Sequence, residues 1–402
     1  SFMEYLFVGG LYPHERLNEI SAQGDNSMGI AANALQWSLL TGFDKFYPNI
    51  KVITVPYIST FPKKNKTIYL KKSFFSHKKG SKDLCVGFFN FPLLRIISRY
   101  INLVRTLKKV VYKNKETIIF IYGIHSPFLK AVTKLCEKNK LLKTCLIATD
   151  IPQFNMIGKK NPIYLFFKRL DFSIINKSIE KIDSFVLLSK YMCEPLNVNE
   201  RPWTLIEGIY NITDDVETLE YNDGLKRVLY SGSLHERNGI MNLINAFLKT
   251  DNNDYRLIIC GEGDSKTKII AASEKDKRII YKGLINREEV LELQKKCDLL
   301  VNPRTSDGEY TKYSFPSKTM EYLASGTPTL MYKLPGIPEE YYEYCYSISN
   351  DVNDSLYHKM IEVLNTPKDE LKCFGLKARD FIIKNKNPVN QCEKIAKMIN
   401  QL

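Results

Sequence analysis

The chain has 402 residues, 44% of them apolar and 25% charged, with 58 Lys and Arg against 44 Asp and Glu. That length suits two domains of roughly 200 residues better than one core, and the composition excludes a disordered or fibrous chain. The longest apolar runs, such as TIIFIYGI at 117–124, fall far short of the roughly 20 residues a bilayer crossing needs.

The first ten residues, SFMEYLFVGG, hold no basic segment ahead of a long apolar one, so no export signal is expected. YLFVGG reads as a strand that runs into Gly10, and GDNSMGIAAN opens a helix over about 28–41. Gly29, at that entry, either lets a substrate approach bare backbone or is an ordinary loop glycine. Further strands are predicted at KVITVPYI (51–58), TIIFIYGI (117–124), KTCLIATD (143–150) and DSFVLLS (183–189). Between them, Leu93, Ile97, Ile101, Val104 and Leu107 recur every three or four residues and predict a helix with one apolar face. His125 follows a strand and so sits at its carboxyl end, although an isolated His is more often structural. Asp150 either faces a cleft or starts the turn before Pro152.

Charge is lopsided. Residues 1–210 hold 31 Lys and Arg against 15 Asp and Glu, whereas the remainder holds 27 against 29. A basic first half suits an anionic partner: nucleic acid, anionic lipid or a phosphorylated acceptor. Its densest stretch, PKKNKTIYLKKSFFSHKKGSKD (62–83), mixes lysines with Tyr69, Phe74 and Phe75. Such a mixture stacks on single-stranded nucleic acid, lies on a headgroup surface, or is a solvated loop. NPIYLFFKRL (161–170) is a second apolar segment with a basic end. The nine cysteines, scattered from Cys85 to Cys392 without a CxxC or a Cys/His cluster, predict free thiols in a reducing cytoplasm and no structural zinc.

After an acidic, turn-rich connection near 205–225, short strands alternate with helix-length segments: RVLYSGSL, YRLIICGEG, IIYKGLI, LLVNPR and TPTLMY. That alternation implies a parallel sheet covered on both faces, with ligands bound beyond the carboxyl ends of its strands. Gly232, Ser233, Gly261, Gly263, Gly283 and Arg304 then share one rim. ICGEGD lacks the third glycine of a dinucleotide fingerprint and lies on the second strand of its domain, so a nicotinamide cofactor is not expected. Residues from about 367 to 402 read as helical.

In SFPSKTMEYLASGTPTL (314–330), Ser314 or Phe315 is expected at the cap of a short helix, with Pro316 in its first turn and Gly326 ending it. Free first-turn N–H groups and the helix dipole favour an anion there. Lys318 adds a charge, and Glu321 lies one turn deeper on the same face. This arrangement suits a phosphate joined to a hydroxyl-bearing sugar; the alternative is a plain capped surface helix. Arg304 reaches the same rim, as a bidentate phosphate clamp or as a solvated loop residue.

The pieces VLYSGSLHERNGIMNLINAF, LIICGEGD, IIYKGLINREEVLELQKKCDLLVNPR and PSKTMEYLASGTPTL, in this order and spacing over some 130 residues, resemble the donor-binding domain of glycosyltransferase family 4. These are the group 1 transferases of the GT-B fold, and the chain is most similar to bacterial enzymes that build capsular or exopolysaccharide units. The first half is similar more weakly, through FVGG, GDNSMGIAAN, IYGIHSP and ATDIPQF.

The resemblance implies an α/β architecture of two Rossmann-like domains facing across a cleft. An acceptor-binding domain would span 3–210 and a nucleotide-sugar-binding domain 211–380, with 381–402 a helix packing back on the first. The implied activity is retaining transfer of a sugar, from a UDP-sugar, to a saccharide acceptor carried on a polyprenyl diphosphate. A GT-B nucleotide-sugar 2-epimerase and a non-catalytic binding protein are the alternatives.

Implied catalytic residues are His125, Arg304, Lys318 and Glu321. Gly232, Ser233, Arg237, Gly261, Gly263, Ile285 and Ser317 would join Lys318 and Glu321 around the donor, and Gly10, Gly29 and Asp150 would lie on the acceptor side. With no DxD element at a strand end, no metal or other cofactor is expected. The expected location is the cytoplasmic face of the plasma membrane, with the basic half on anionic lipid and no nucleic acid bound. Two positions depart from the family pattern. Tyr313 stands where the first acid of E-x7-E is expected, with Asp307 and Glu309 nearby, and Asn238 stands where a Lys is expected, beside Arg237.

Overall fold

The computed structural model describes residues 2–22, 27–152, 161–211, 219–350 and 352–402. Residues 24–26 of the GDNSMGIAAN segment, 153–154 of ATDIPQF and 212–218 of the connecting stretch lie outside the described residues, as does the side chain of Glu309. The chain divides into two compact units, Ser1–Ile209 with Pro388–Leu402, and Tyr210–Asn387. The helix Lys368–Asn385 runs unbroken through residue 381, and Pro388, which cannot continue a helix, starts the next one, Pro388–Ile399.

The strands of the first unit are β1 (Glu4–Gly9), β2 (Lys51–Thr54), β3 (Tyr69–Leu70), β4 (Ser73–Phe75), β5 (Asp83–Cys85), β6 (Phe88–Phe89), β7 (Thr117–Tyr122), β8 (Leu142–Ala148), β9 (Ser184–Leu187) and β10 (Trp203–Leu205). Eight of them form one sheet in the order β10-β9-β8-β7-β1-β2-β5-β4, parallel except at the β4–β5 edge. The second unit holds β11 (Lys226–Ser231), β12 (Tyr255–Cys260), β13 (Ile279–Gly283), β14 (Leu299–Asn302), β15 (Thr329–Tyr332) and β16 (Tyr346–Ile348), all parallel, in the order β13-β12-β11-β14-β15-β16. This is the 3-2-1-4-5-6 order of a Rossmann sheet, and its switch point lies between β11 and β14. Alternate residues of β11 fill opposite faces: Val228 and Tyr230 join one apolar cluster, and Leu229 joins another with Ile258, Leu300 and Tyr322. Both units are therefore Rossmann-like, as expected for this fold class.

One expectation is corrected. The helix Leu94–Val110 forms, but Leu93, Ile97 and Ile101 do not face the core; they are 51%, 52% and 39% exposed. Leu103 and Leu107 are buried, together with Arg99, whose guanidinium lies 4.2 Å from the Phe88 ring centroid. Periodicity specifies that an apolar stripe exists, not which neighbour covers it. Here the helix Ser126–Lys138 packs against the C-terminal half of the stripe, around Val104 and Leu107, and the N-terminal half stays open to solvent.

The basic stretch 62–83 is built around a charged centre. His77, with a side chain 1% exposed, bridges Asp83 through Nδ1 at 2.7 Å and Asp44 through Nε2 at 2.8 Å. Asp83 also accepts from the Val52 amide at 2.8 Å, which ties the hairpin to β2. Burial opposes the imidazolium, but the two carboxylates outweigh it and raise the His77 pKa to about 9. A folded value above the unfolded one, about 6.5, gives stability that is complete below that pH and lost as pH rises through about 9. The melting-temperature gap between the wild type and His77→Gln is therefore expected to be wide at pH 6 and nearly closed at pH 9.5. A gap that does not change with pH would show that His77 carries no charge in the fold.

Candidate active site

In the second unit, the site starts where β11 ends. Gly232 and Ser233 turn away from the sheet, and the Ser233 carbonyl accepts from the Tyr230 hydroxyl at 2.5 Å and from Asn238 Nδ2 at 3.2 Å. Gly261, at φ +140°, presses on this turn: a Cβ there would lie 1.9 Å from the Gly232 carbonyl oxygen. A Cβ on Gly263 would lie 2.5 Å from the Leu234 carbonyl carbon. The structure thus places Gly261 and Gly263 behind the turn, where they allow close packing, and leaves Gly232 and the exposed Ser233 at the rim.

Arg304 leaves β14 next to this turn. Its Nη2 donates to Asn238 Oδ1 at 2.8 Å, so the residue at the expected lysine position is a buried holder of the arginine. Arg237 and Arg304 lie 5.9 Å and 6.0 Å from the Tyr310 ring centroid, which makes Tyr310 a shared platform for two guanidinium groups. Burial, and to a smaller extent Arg237, lowers the Arg304 pKa, but a guanidinium stays charged through the physiological range. The site therefore gains a fixed, half-buried cation.

The short helix is Ser317–Ala324, with Pro316 at its N-cap instead of in its first turn. No side chain caps it; the Thr319 amide turns back to the Pro316 carbonyl at 2.9 Å, and the Ser317 and Lys318 amides before it have no intrahelical acceptor. Ser317 is exposed at its start. Lys318 lies over Gly232: a Cβ on that glycine would be 3.9 Å from Lys318 Cε. Lys318 Nζ reaches Glu321 Oε2 at 2.9 Å, Gln294 Nε2 donates to the same oxygen at 2.9 Å, and Arg287 Nη1 meets Oε1 at 2.8 Å. Burial alone would raise the Glu321 pKa, but Lys318, Gln294 and Arg287 overcome it and hold the carboxyl below its usual range. An ionised carboxylate has about four lone-pair sites. Three are in use, so a ligand offering two hydroxyls to Glu321 would have to displace Lys318 or the exposed Arg287.

Glu321 also borders a cavity of about 290 Å³ with Tyr210, Arg287, Gln294 and Arg379. Ile285 is half-buried against the Leu229, Ile258 and Leu293 cluster, so it packs the turn after β13 as well as bordering the rim. Tyr313 is half-buried, and Asp307 is exposed, accepting from Thr305 at 3.1 Å.

The corresponding region of the first unit is a cavity of about 440 Å³ at the carboxyl ends of β1 and β7. It is lined by Gly29, Tyr57, Lys64, Arg95, His125 and Asp150, among others. Gly10 and Gly29 are closely backed. A Cβ on Gly10 would meet the Tyr57 ring at 2.3 Å, and one on Gly29 would meet the Tyr12 hydroxyl at 2.1 Å. The buried Arg99 approaches His125 Nε2 at 3.1 Å through Nη1, and its Nη2 donates to the Pro56 carbonyl at 2.8 Å. An arginine can only donate, so Nε2 accepts and Nδ1 carries the proton. Burial, with Arg99 and Arg95 nearby, pushes the His125 pKa well down. The ring is thus a neutral N–H donor, suited to a sugar hydroxyl and not to accepting a proton.

Sequence reading passed over Arg99, Gln294 and Tyr310. Gln294 carried a signal, since it lies with Leu293 and Cys297 on the buried side of the helix Arg287–Lys296. A polar residue on such a side needs a partner.

Residues 211–400 match the family model "Glycosyl transferases group 1". No curated protein matches the chain in sequence. Among solved structures, the lipopolysaccharide outer core galactosyltransferase WaaB, in its apo form, has TM-score 0.64 at 15% identity, covering 99% of each chain. Anabaena HepE in complex with UDP has TM-score 0.63 at 12% identity over 100% of each chain. A UDP-forming trehalose-phosphate synthase from Burkholderia xenovorans has TM-score 0.64 at 11% identity, covering 99% of each. At these identities the likeness shows the fold, which is GT-B, and with the family match it supports a glycosyltransferase.

Proposed function

We propose that the chain is a retaining glycosyltransferase that moves a sugar from a UDP-sugar to a lipid-linked saccharide, in the assembly of a bacterial surface polysaccharide. One observation carries this reading: Arg304, Arg237 and Lys318 gather at the β11–β14 switch point beside a buried, ionised Glu321. Cations at the rim suit a diphosphate, and a carboxylate one helical turn away suits a ribose. As the glycosidic bond to the diphosphate breaks, charge builds on the leaving oxygens, and fixed cations stabilise that state. The leaving phosphate oxygen then takes the proton of the attacking hydroxyl.

In this reading, His125 donates from Nδ1–H to a hydroxyl of the transferred sugar or the acceptor, and Asp150 lies beside it on the acceptor side. Neither step assigns chemistry to a metal. Among the described residues no helix is long and apolar enough to cross a membrane. Contact with a cytoplasmic membrane face would instead use the basic stretch 62–83 and the exposed Ile163, Phe166, Phe167 and Leu170 of the helix Pro162–Ile179.

A thermal-shift panel of UDP-, GDP-, ADP- and TDP-sugars tests the donor, because a ligand that binds only the folded chain raises its melting temperature. UDP-sugars are expected to give the largest shift and to be hydrolysed slowly without acceptor. No shift with any nucleotide-sugar would overturn the reading.

A further inference from the structure

A second cavity in the first unit, about 380 Å³, shares no lining residue with the one that holds His125 and Asp150. It sits between the C-terminal half of the helix Leu94–Val110 and the β4–β5 edge. Its walls are Leu84, Val86, Thr106 and Val110, and its mouth carries Lys72, Arg105 and Lys109, all three exposed. The lining contains no carboxylate, and among the described residues none of the three cations forms an ion pair. Phe74, 76% exposed, and Tyr69 stand at the rim. Tyr69 packs on Phe89 at 4.8 Å between ring centroids, and the Phe89 amide donates to Ser98 at 3.0 Å. The exposed Leu94, Ile97 and Ile101 continue along the same helix toward Arg105. An open apolar strip therefore ends at a cavity with an apolar wall and a cationic mouth.

We propose that this cavity binds one phosphate-bearing lipid of a bilayer, with its chain against Leu84, Val86 and Val110 and its phosphate on Lys72, Arg105 and Lys109. The volume lies within the roughly 300–1,000 Å³ of ligand pockets. Charge complementarity selects an anion, and the apolar strip that ends at the cavity, with the exposed Phe74 at its rim, selects one presented by a membrane. This site deepens the membrane contact proposed above but is independent of sugar transfer.

Two probes test it on the full chain: vesicles of phosphatidylglycerol in phosphatidylcholine, and dodecyl phosphate below its micelle concentration. Dodecyl phosphate is expected to raise the melting temperature and to compete with vesicle binding, whereas inorganic phosphate at the same concentration does neither. The triple change Lys72→Ala, Arg105→Ala and Lys109→Ala is expected to weaken vesicle binding about 10²-fold, at roughly a factor of five per cation. Thr106→Trp fills the cavity without altering charge and is expected to abolish the dodecyl phosphate shift. Its donor hydrolysis stays at the wild-type rate, so failure here and failure of the transferase reading register separately. Equal binding of inorganic phosphate would reduce the site to a free-phosphate patch and overturn the proposal. So would an unchanged dodecyl phosphate shift in Thr106→Trp, or full vesicle binding by the triple variant.

Discussion

Alanine at position 304 is expected to lower sugar-transfer turnover by about 10²-fold or more, with the fold intact. Arg304 reaches the rim half-buried, with one nitrogen on Asn238 and its guanidinium against the same Tyr310 ring as that of Arg237. A cation already held in place needs no reorganisation when charge develops on the leaving diphosphate, and that preorganisation is what the alanine removes. Lys318→Ala is expected to cost a similar factor, since Lys318 lies over Gly232 at the mouth of the same short helix. Asn238→Ala keeps both cations but releases Arg304, so a smaller loss of about tenfold is expected, mainly in kcat. Steady-state kinetics on variants with unchanged circular dichroism decide the matter. Wild-type turnover in both Arg304→Ala and Lys318→Ala would remove the basis of the proposed function.

Much of the fold was legible because its signals are local. The second unit's first five strands are short and rich in β-branched residues between turn formers, and all five appear where the pattern puts them. What the sequence hid depends on contacts between distant residues. Strands β3 and β4 form inside the basic stretch 62–83, which reads as a nucleic-acid surface, a headgroup surface or a solvated loop, and His77 bridging Asp44 and Asp83 anchors that stretch to the fold. Nothing in the local composition announces that bridge. The face of Leu94–Val110 was misread for a related reason: burial of Arg99 depends on Pro56, His125 and Phe88, none of them nearby in the chain.

The site was half legible in the same sense. Lys318 and Glu321, three residues apart on one helix, were bound to meet, and they do at 2.9 Å. Asn238 read as the loss of a lysine. In the fold it is the acceptor that fixes Arg304, a role that requires the β11 turn and the end of β14 to be adjacent. Gly239 makes that possible: at φ +79°, a Cβ there would lie 2.1 Å from the Pro303 carbonyl.

Glu321→Gln is expected to weaken donor binding by tenfold or more, through the loss of a charged acceptor for the ribose. Structural and binding effects can be separated, because Glu321 also neutralises Lys318 and Arg287 and fixes Gln294, whose Nε2 lies 3.2 Å from Ser231 Oγ. Removing that carboxylate costs about 2 kcal/mol of stability, a cost softened because Lys318 and Arg287 both reach water. The folded carboxyl has a lowered pKa, so its stabilisation is present above the ordinary carboxylate range and is lost as pH falls through the folded value. The melting-temperature advantage of the wild type over Glu321→Gln is therefore constant from pH 6 to 8 and shrinks in acid. Isothermal titration with UDP at pH 7 measures the binding term by itself. Equal affinity in the two proteins, with the stability gap still present, would make Glu321 a buried counter-charge and leave the ribose to another group.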